Sequence, residues 1–260
     1  MYLRYMGGLL NKIFMKIFFL SCALIISSAF IYSFCKKENR PAKPVVLIFS
    51  KTKGFHHSSI PNGVAAIQKL GRENGFDTDT TTDASYFTDD KLKKYAVVIF
   101  LNTTGDVLDE KQQQAFQTYI KAGHGFVGVH SATDTEYDWA WYGKLVGAYF
   151  NGHPKPQQAK FIIKDLKHPA TTFFTDTVWE RTDELYNFKS INPDLHVLVT
   201  IDEGSYQGGT NGGFHPMAWY HDYEGGRAFY TELGHTEDSY TEEKYLKHLL
   251  GGIEYAVGKK

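Results

Sequence analysis

Cysteine is nearly absent from this sequence. There are two, Cys22 and Cys35, and none follows residue 35. That excludes a disulfide scaffold, and a body without thiols tolerates an oxidising compartment. No excess of basic charge exists either. Six of the 28 basic residues but only one of the 29 acids lie in residues 1–40, so the remainder has a net charge of −6. An acidic body argues against nonspecific nucleic-acid binding, which needs basic surface. Long apolar runs are missing after residue 34, which excludes a multi-span membrane protein. Collagen-like and coiled-coil periodicities are absent, as are internal repeats.

What is present is the composition of an ordinary globular protein, 42% hydrophobic and 22% charged over 260 residues. That length suits one large α/β domain or two small ones. Aromatic residues are plentiful, with 17 Tyr, 19 Phe and 4 Trp. They are core material first, and also the flat platforms on which sugar rings lie.

The N-terminus reads as an address. Met15-Lys16 precedes an uncharged apolar run from Ile17 to Phe34, then Cys35, Lys36 and Lys37. A basic start, an apolar stretch and a cleavable end make an export signal. The Met-Lys-apolar pattern makes Met15 a candidate initiator. Cys35 fits a bacterial lipoprotein acceptor, although Phe34 stands where a small residue is usual. The alternatives are cleavage to a soluble exported protein and an uncleaved anchor, because about 18 apolar residues span a bilayer. Each places the body outside the cytoplasm, in the periplasm or at the outer membrane surface, tethered through lipid or anchor in two of the three. Residues 1–40 are therefore read as leader and linker, and 41–260 as one domain.

Within the body, Pro44–Ser50, Tyr95–Leu101 and Gly125–Val129 are buried-strand patterns, with a weaker strand near Asp77–Thr82. Between them lie helix patterns. One starts after a Ser cap at Ser58-Ser59, with Pro61 in its first turn. Another is capped by Asp109 and closed at Gly123. Alternating strand and helix predicts an α/β fold, a mostly parallel sheet with helices on both faces. The second half is less regular. Lys160–Lys164, His196–Thr200, Met217–Tyr220 and Arg227–Thr231 read as strands, and Thr241–Val257 as a closing helix. Gly208–Phe214 reads as a loop, without the Gly-Lys-Ser/Thr ending of a phosphate loop.

Ligands of parallel α/β sheets bind at the carboxyl ends of the strands. Here those ends carry Lys53-Gly-Phe-His-His-Ser58, Asn102-Thr-Thr-Gly-Asp106, His130-Ser-Ala-Thr-Asp134 and Gly234-His-Thr-Glu237. Three of the four contain histidine, which points to one shared pocket. Of His56 and His57, His57 is taken as the inward member. Asp183-Glu-Leu-Tyr-Asn187 reads equally as a binding segment or a surface turn. His215-Pro216 and Trp219-Tyr-His221 are candidates for a stacking wall or a ligand. His153-Pro154 and His168-Pro169 read as turn chemistry. No His-Glu-x-x-His helix marks a metal site. Gly128-Val-His-Ser-Ala132 has the layout of a nucleophile elbow, yet its tip is His130 rather than Ser or Cys.

These segments, together with Tyr142–Pro154, Pro216-Met-Ala-Trp-Tyr220 and Gly226-Arg-Ala-Phe-Tyr-Thr-Glu-Leu-Gly-His235, resemble the ThuA-like, trehalose-utilisation family over nearly the whole body. The resemblance implies a flavodoxin-like fold, similar to that of class I glutamine amidotransferases. There the elbow tip is Cys and His-x-Glu follows a late strand. Here His130 replaces the thiol while His235-Thr-Glu237 remains, so thioester glutaminase chemistry is not expected. The family implies carbohydrate metabolism and a small carbohydrate ligand.

The expected function is an enzyme acting on a trehalose-like sugar or keto-glycoside by imidazole acid/base chemistry. His130 is the expected base, oriented by Asp134. His235 is the partner acid, with Glu237 setting its tautomer. His57, Glu184 and His215 are expected to bind substrate, and Trp219 to stack on a sugar ring. No cofactor is expected. The alternatives are a noncatalytic glycan-binding lipoprotein, and a hydrolase with a divalent metal on His57, His130 and His235. The oligomeric state is left open.

Overall fold

The computed structural model describes residues 43–259. The leader, Cys35 and the linker through residue 42 lie outside the described residues. Among the described residues, eleven strands and five α-helices follow in order. They are β1 (Val45–Phe49), α1 (Ile60–Asn74), β2 (Asp77–Thr81), α2 (Asp89–Leu92), β3 (Val97–Leu101), α3 (Glu110–Lys121) and β4 (Gly125–Val129). Then come α4 (Ala140–Val146), β5 (Tyr149–Phe150), β6 (Gln157–Ile163), β7 (Val178–Asp183) and β8 (Phe188–Lys189). β9 (His196–Ile201), β10 (Pro216–Tyr223), β11 (Gly226–Thr231) and α5 (Glu243–Val257) come last. Among the described residues, no helix is long and apolar enough to cross a membrane.

Nine strands form one sheet in the order β2-β1-β3-β4-β11-β10-β9-β6-β7. From β2 to β11 every pairing is parallel. From β11 to β7 every pairing is antiparallel. The first part is the flavodoxin-like half. The second is a four-stranded antiparallel extension that single-strand patterns reveal only piecemeal, because half-buried strands carry weaker apolar signals.

β1, β3 and β4 are almost wholly buried. Their alternate side chains face opposite helix layers. Phe100 and Phe126 meet Phe116 of α3 and Tyr142 of α4. On the other face, Leu101 lies against Gly63 of α1, and Gly125 against the Ala256 carbonyl of α5. Each buried Phe contributes roughly 2–3 kcal/mol of apolar transfer energy, so the aromatic layer is a large part of what fixes α3 and α4.

Two helix starts differ in how they are built. Asp109 and Gln112 form a reciprocal capping box at α3. Ser59 precedes α1 but makes no side-chain cap. Its hydroxyl instead donates to the Gly234 carbonyl at 3.3 Å and accepts from the Asn102 amide at 3.1 Å. The expected cap is a tie between three strand-end loops.

Asp183–Asn187 is not a surface turn. All five residues are buried, because β7 runs into the middle of the molecule rather than over its surface. β7 itself was not anticipated. Its inward residues are Trp179, Arg181 and Asp183, so a charged pair hides the apolar alternation that marks a strand.

Candidate functional site

The carboxyl ends of β1, β4 and β11 each deliver one histidine to the same point. His57 sits just before α1, His130 directly after β4, and His235 four residues after β11. Glu184, directly after β7, comes in from the antiparallel extension. One donor atom from each of the four lies within 4.8 Å of all the others.

His130 occupies the elbow tip with φ of 50°, a left-handed conformation that stores about 1–3 kcal/mol in a residue of this kind. The turn aims its fully buried ring inward. Nδ1 lies 2.7 Å from the Glu232 carbonyl. A carbonyl only accepts, so Nδ1 carries a hydrogen, and Nε2 presents a lone pair in the neutral ring and a second N–H toward Glu184 in the charged one. Nε2 is 3.3 Å from His235 Nδ1 and 3.3 Å from Glu184 Oε2. Glu184 Oε2 is 3.2 Å from His235 Nδ1. His57 packs edge-on against both other imidazoles, with ring centroids 4.8 and 5.3 Å away, and its Nδ1 is 3.4 Å from the Ser131 hydroxyl.

The electrostatics divide these groups. Burial, followed by the neighbouring imidazoles of His130 and His235, lowers His57 to about 3 and keeps it neutral. Burial alone would raise Glu184. Hydrogen bonds to His130 and His235 and their charges outweigh burial and hold its carboxyl well below the usual carboxylate range. Burial acts to lower His235, but its bond to Glu184 prevails and raises it. Glu232 is pushed well above the carboxylate range by burial and then by Asp183. It accepts from the Tyr186 amide at 3.1 Å beneath His130.

Other expected site residues stand apart from this group. Asp134 does not orient His130. Its carboxyl accepts from the Tyr137 hydroxyl at 2.6 Å. Glu237 does not set the His235 tautomer. It is exposed and accepts from the Ser58 hydroxyl. His215 is buried against Glu203 (2.8 Å) and the Tyr186 carbonyl (2.7 Å). It braces Tyr186, whose ring lies 4.4 Å from that of His130. Trp219 presents no face to a ligand. It is 1% exposed, donates to the Val146 carbonyl at 2.8 Å and stacks on Tyr230. Its strand is buried from Pro216 to Trp219, and the buried indole N–H takes the Val146 carbonyl as its partner.

His153 serves its own turn, with Nδ1 2.9 Å from the Pro154 carbonyl, and also reaches the site. His153 Nδ1 lies 3.1 Å from Glu184 Oε1, and its side chain is 38% exposed. The His-Pro turn brings it to the rim of the site. Position within the motif ending at Pro154 was its only sequence signal. A separate cleft of about 780 Å³, lined by Tyr149, Asp194, His196, Tyr220, Tyr223 and Tyr255, includes none of the four central residues. The chemistry-bearing groups lie elsewhere, so the cleft is not taken as the site.

The family profile described as "Trehalose utilisation" (ThuA) matches residues 45–256. The chain belongs to the ThuA family. Membership carries a carbohydrate-related role and agrees with the flavodoxin-like fold. A ThuA-like protein from Bacteroides uniformis is 24% identical, with a TM-score of 0.72 over 86% of this chain and 96% of that one. Another from Parabacteroides merdae is 20% identical, with a TM-score of 0.69 over 84% and 91%. A β-galactosidase from Bacillus circulans shares the fold at 12% identity and a TM-score of 0.54, over 82% of this chain and 31% of the enzyme. No curated protein matches the sequence.

Proposed function

We propose that this ThuA-family protein is an enzyme acting on a trehalose-like disaccharide or a keto-glycoside at the His57–His130–Glu184–His235 centre. The observation that carries the reading is the convergence of three imidazoles and one carboxylate within 4.8 Å, at the strand ends where such sheets bind ligands. A purely structural polar cluster would satisfy each group through backbone partners. Here the facing atoms are His130 Nε2, His235 Nδ1 and Glu184 Oε2, and they meet only one another.

Such a group can hold a carbonyl or hydroxyl oxygen and move a proton beside it. Side chains of His235 and His153 are 22% and 38% exposed, whereas His57 and His130 are buried. Substrate therefore approaches over His235 and His153. Asp134 and Glu237 take no part in the reaction, and Trp219 contributes packing only. The apolar run ending at Cys35 supports a lipid-tethered protein outside the cytoplasm, where it would meet free glycans.

Full-length protein incubated with trehalose and with a 3-keto disaccharide, followed by NMR, tests the reading. New product signals are expected for the parent and none for His130→Asn. Saturation transfer without product would make the protein a glycan binder instead. Silence in both channels would remove trehalose-like sugars as ligands.

A further inference from the structure

We propose that His57, His130, Glu184 and His235 are the protein ligands of a single divalent transition-metal ion, of the zinc or cobalt kind. The inference shares its residues with the proposed sugar chemistry but does not depend on the substrate.

The first argument is charge. The His130 tautomer is set by the Glu232 carbonyl, so in the neutral ring the Nε2 lone pair points toward a carboxylate oxygen of Glu184 and toward His235 Nδ1, whose hydrogen goes to that carboxylate. Loss of that one hydrogen turns all three atoms, 3.2–3.3 Å from one another, into lone-pair donors toward a common cation. The second argument is length. Metal–ligand bonds of about 2.0–2.1 Å at tetrahedral angles separate the donor atoms by roughly 3.3–3.4 Å. The three measured edges match that figure. A nitrogen of His57 lies within the same 4.8 Å set and completes the ligand group.

The third argument is the surrounding shell. Metal-binding histidines usually pass their second nitrogen to a carbonyl or carboxylate, which fixes tautomer and orientation. His130 does so through Glu232. His153 Nδ1, shared with the Pro154 carbonyl at 2.9 Å, lies 3.1 Å from Glu184 Oε1 and leaves Oε2 free to face the imidazoles. The Ser131 hydroxyl contacts His57 at 3.4 Å. Three nitrogens and one oxygen suit ions of borderline softness rather than calcium or magnesium. Partial exposure of His235 leaves a side from which the ion and an oxygen ligand can enter. A bound ion there would polarise a substrate oxygen, and proton transfer would fall to His153 at the rim.

The test is metal content of the full-length protein as purified, by mass spectrometry, followed by chelation and titration with Co(II). The expected result is one equivalent per chain and the intense visible bands of a low-coordinate cobalt site. His130→Asn and His235→Gln should each lose the tight equivalent. His153→Ala should weaken it roughly 10–100-fold, and the remote His196→Gln should keep it. His235 is partly exposed, so its variant reads the loss even if His130→Asn folds poorly. Absence of metal together with featureless Co(II) spectra would overturn the proposal, as would undiminished binding by both ligand variants. Metal without sugar turnover would keep the ion and discard the substrate. Full turnover after stripping would do the reverse.

Discussion

His130 is the residue on which sequence and conformation bear most directly. A left-handed backbone tolerates Asn far better than a β-branched side chain. His130→Asn should therefore be more stable than His130→Val by about 1–2 kcal/mol, measured by urea unfolding, although both lose the imidazole. Trp219 gives the opposite test. Trp219→Phe removes the bond to the buried Val146 carbonyl and should destabilise by about 1–3 kcal/mol, while sugar affinity measured by NMR stays unchanged. A loss of affinity at unchanged stability would return Trp219 to the ligand. Residue type and strand-end position made His57, His130 and His235 legible in the sequence. The roles given to Asp134 and Glu237 were not legible, because neighbours in sequence at a sharp turn point to different places, and that of Trp219 was not because a strand residue buried on both faces reads like one that faces a ligand.

Among the elements, β7 holds the greatest consequence for the site. Arg181 and Asp183 pair at 2.9 Å inside the protein. Asp183 also accepts from the amides of Glu184 and Gly234. One carboxylate thus ties the loop carrying Glu184 to the loop carrying His235. Gly234 can meet it because its φ of 116° leaves no room for a side chain beside Tyr245 and Tyr240. Arg181→Met should cost about 3–5 kcal/mol by leaving Asp183 buried without its partner, read as a lowered urea midpoint. A change under 1 kcal/mol would mean that solvent reaches the pair. The parallel strands were legible because continuous apolar runs mark doubly buried strands. β7 was not, since its inward positions carry the charges that serve the site.

The whole molecule has a pH dependence written into its core. His248 is fully buried; Nδ1 donates to the Ala170 carbonyl and Nε2 accepts from the Thr231 hydroxyl. Burial lowers it to about 4, and burial likewise lowers His168 to about 4. Both are neutral when folded and bind protons more readily when unfolded. Their contribution is therefore intact above about pH 6.5 and is lost as pH falls toward 4. For His248 the loss amounts to roughly 3 kcal/mol. Urea unfolding between pH 7.5 and 4.5 should show this decline, and His248→Gln should flatten it. An unchanged slope in that variant would place the acid sensitivity elsewhere.

The strand order also dictates when the protein can fold. β11, read from residues 226–231, lies between β4 and β10 and is the fifth member of the parallel half. The two halves of the sheet cannot join until that late segment has left the ribosome. Contacts so distant in sequence form slowly, and a chain waiting for them exposes the edges of β4 and β10. His235 lies just beyond β11, whereas Glu184 waits on the far half. Ligand binding at the centre therefore reports that synthesis has passed β11 and that both halves have joined. A chain stopped at residue 225 would hold two of the three histidines and no finished sheet on which to mount them.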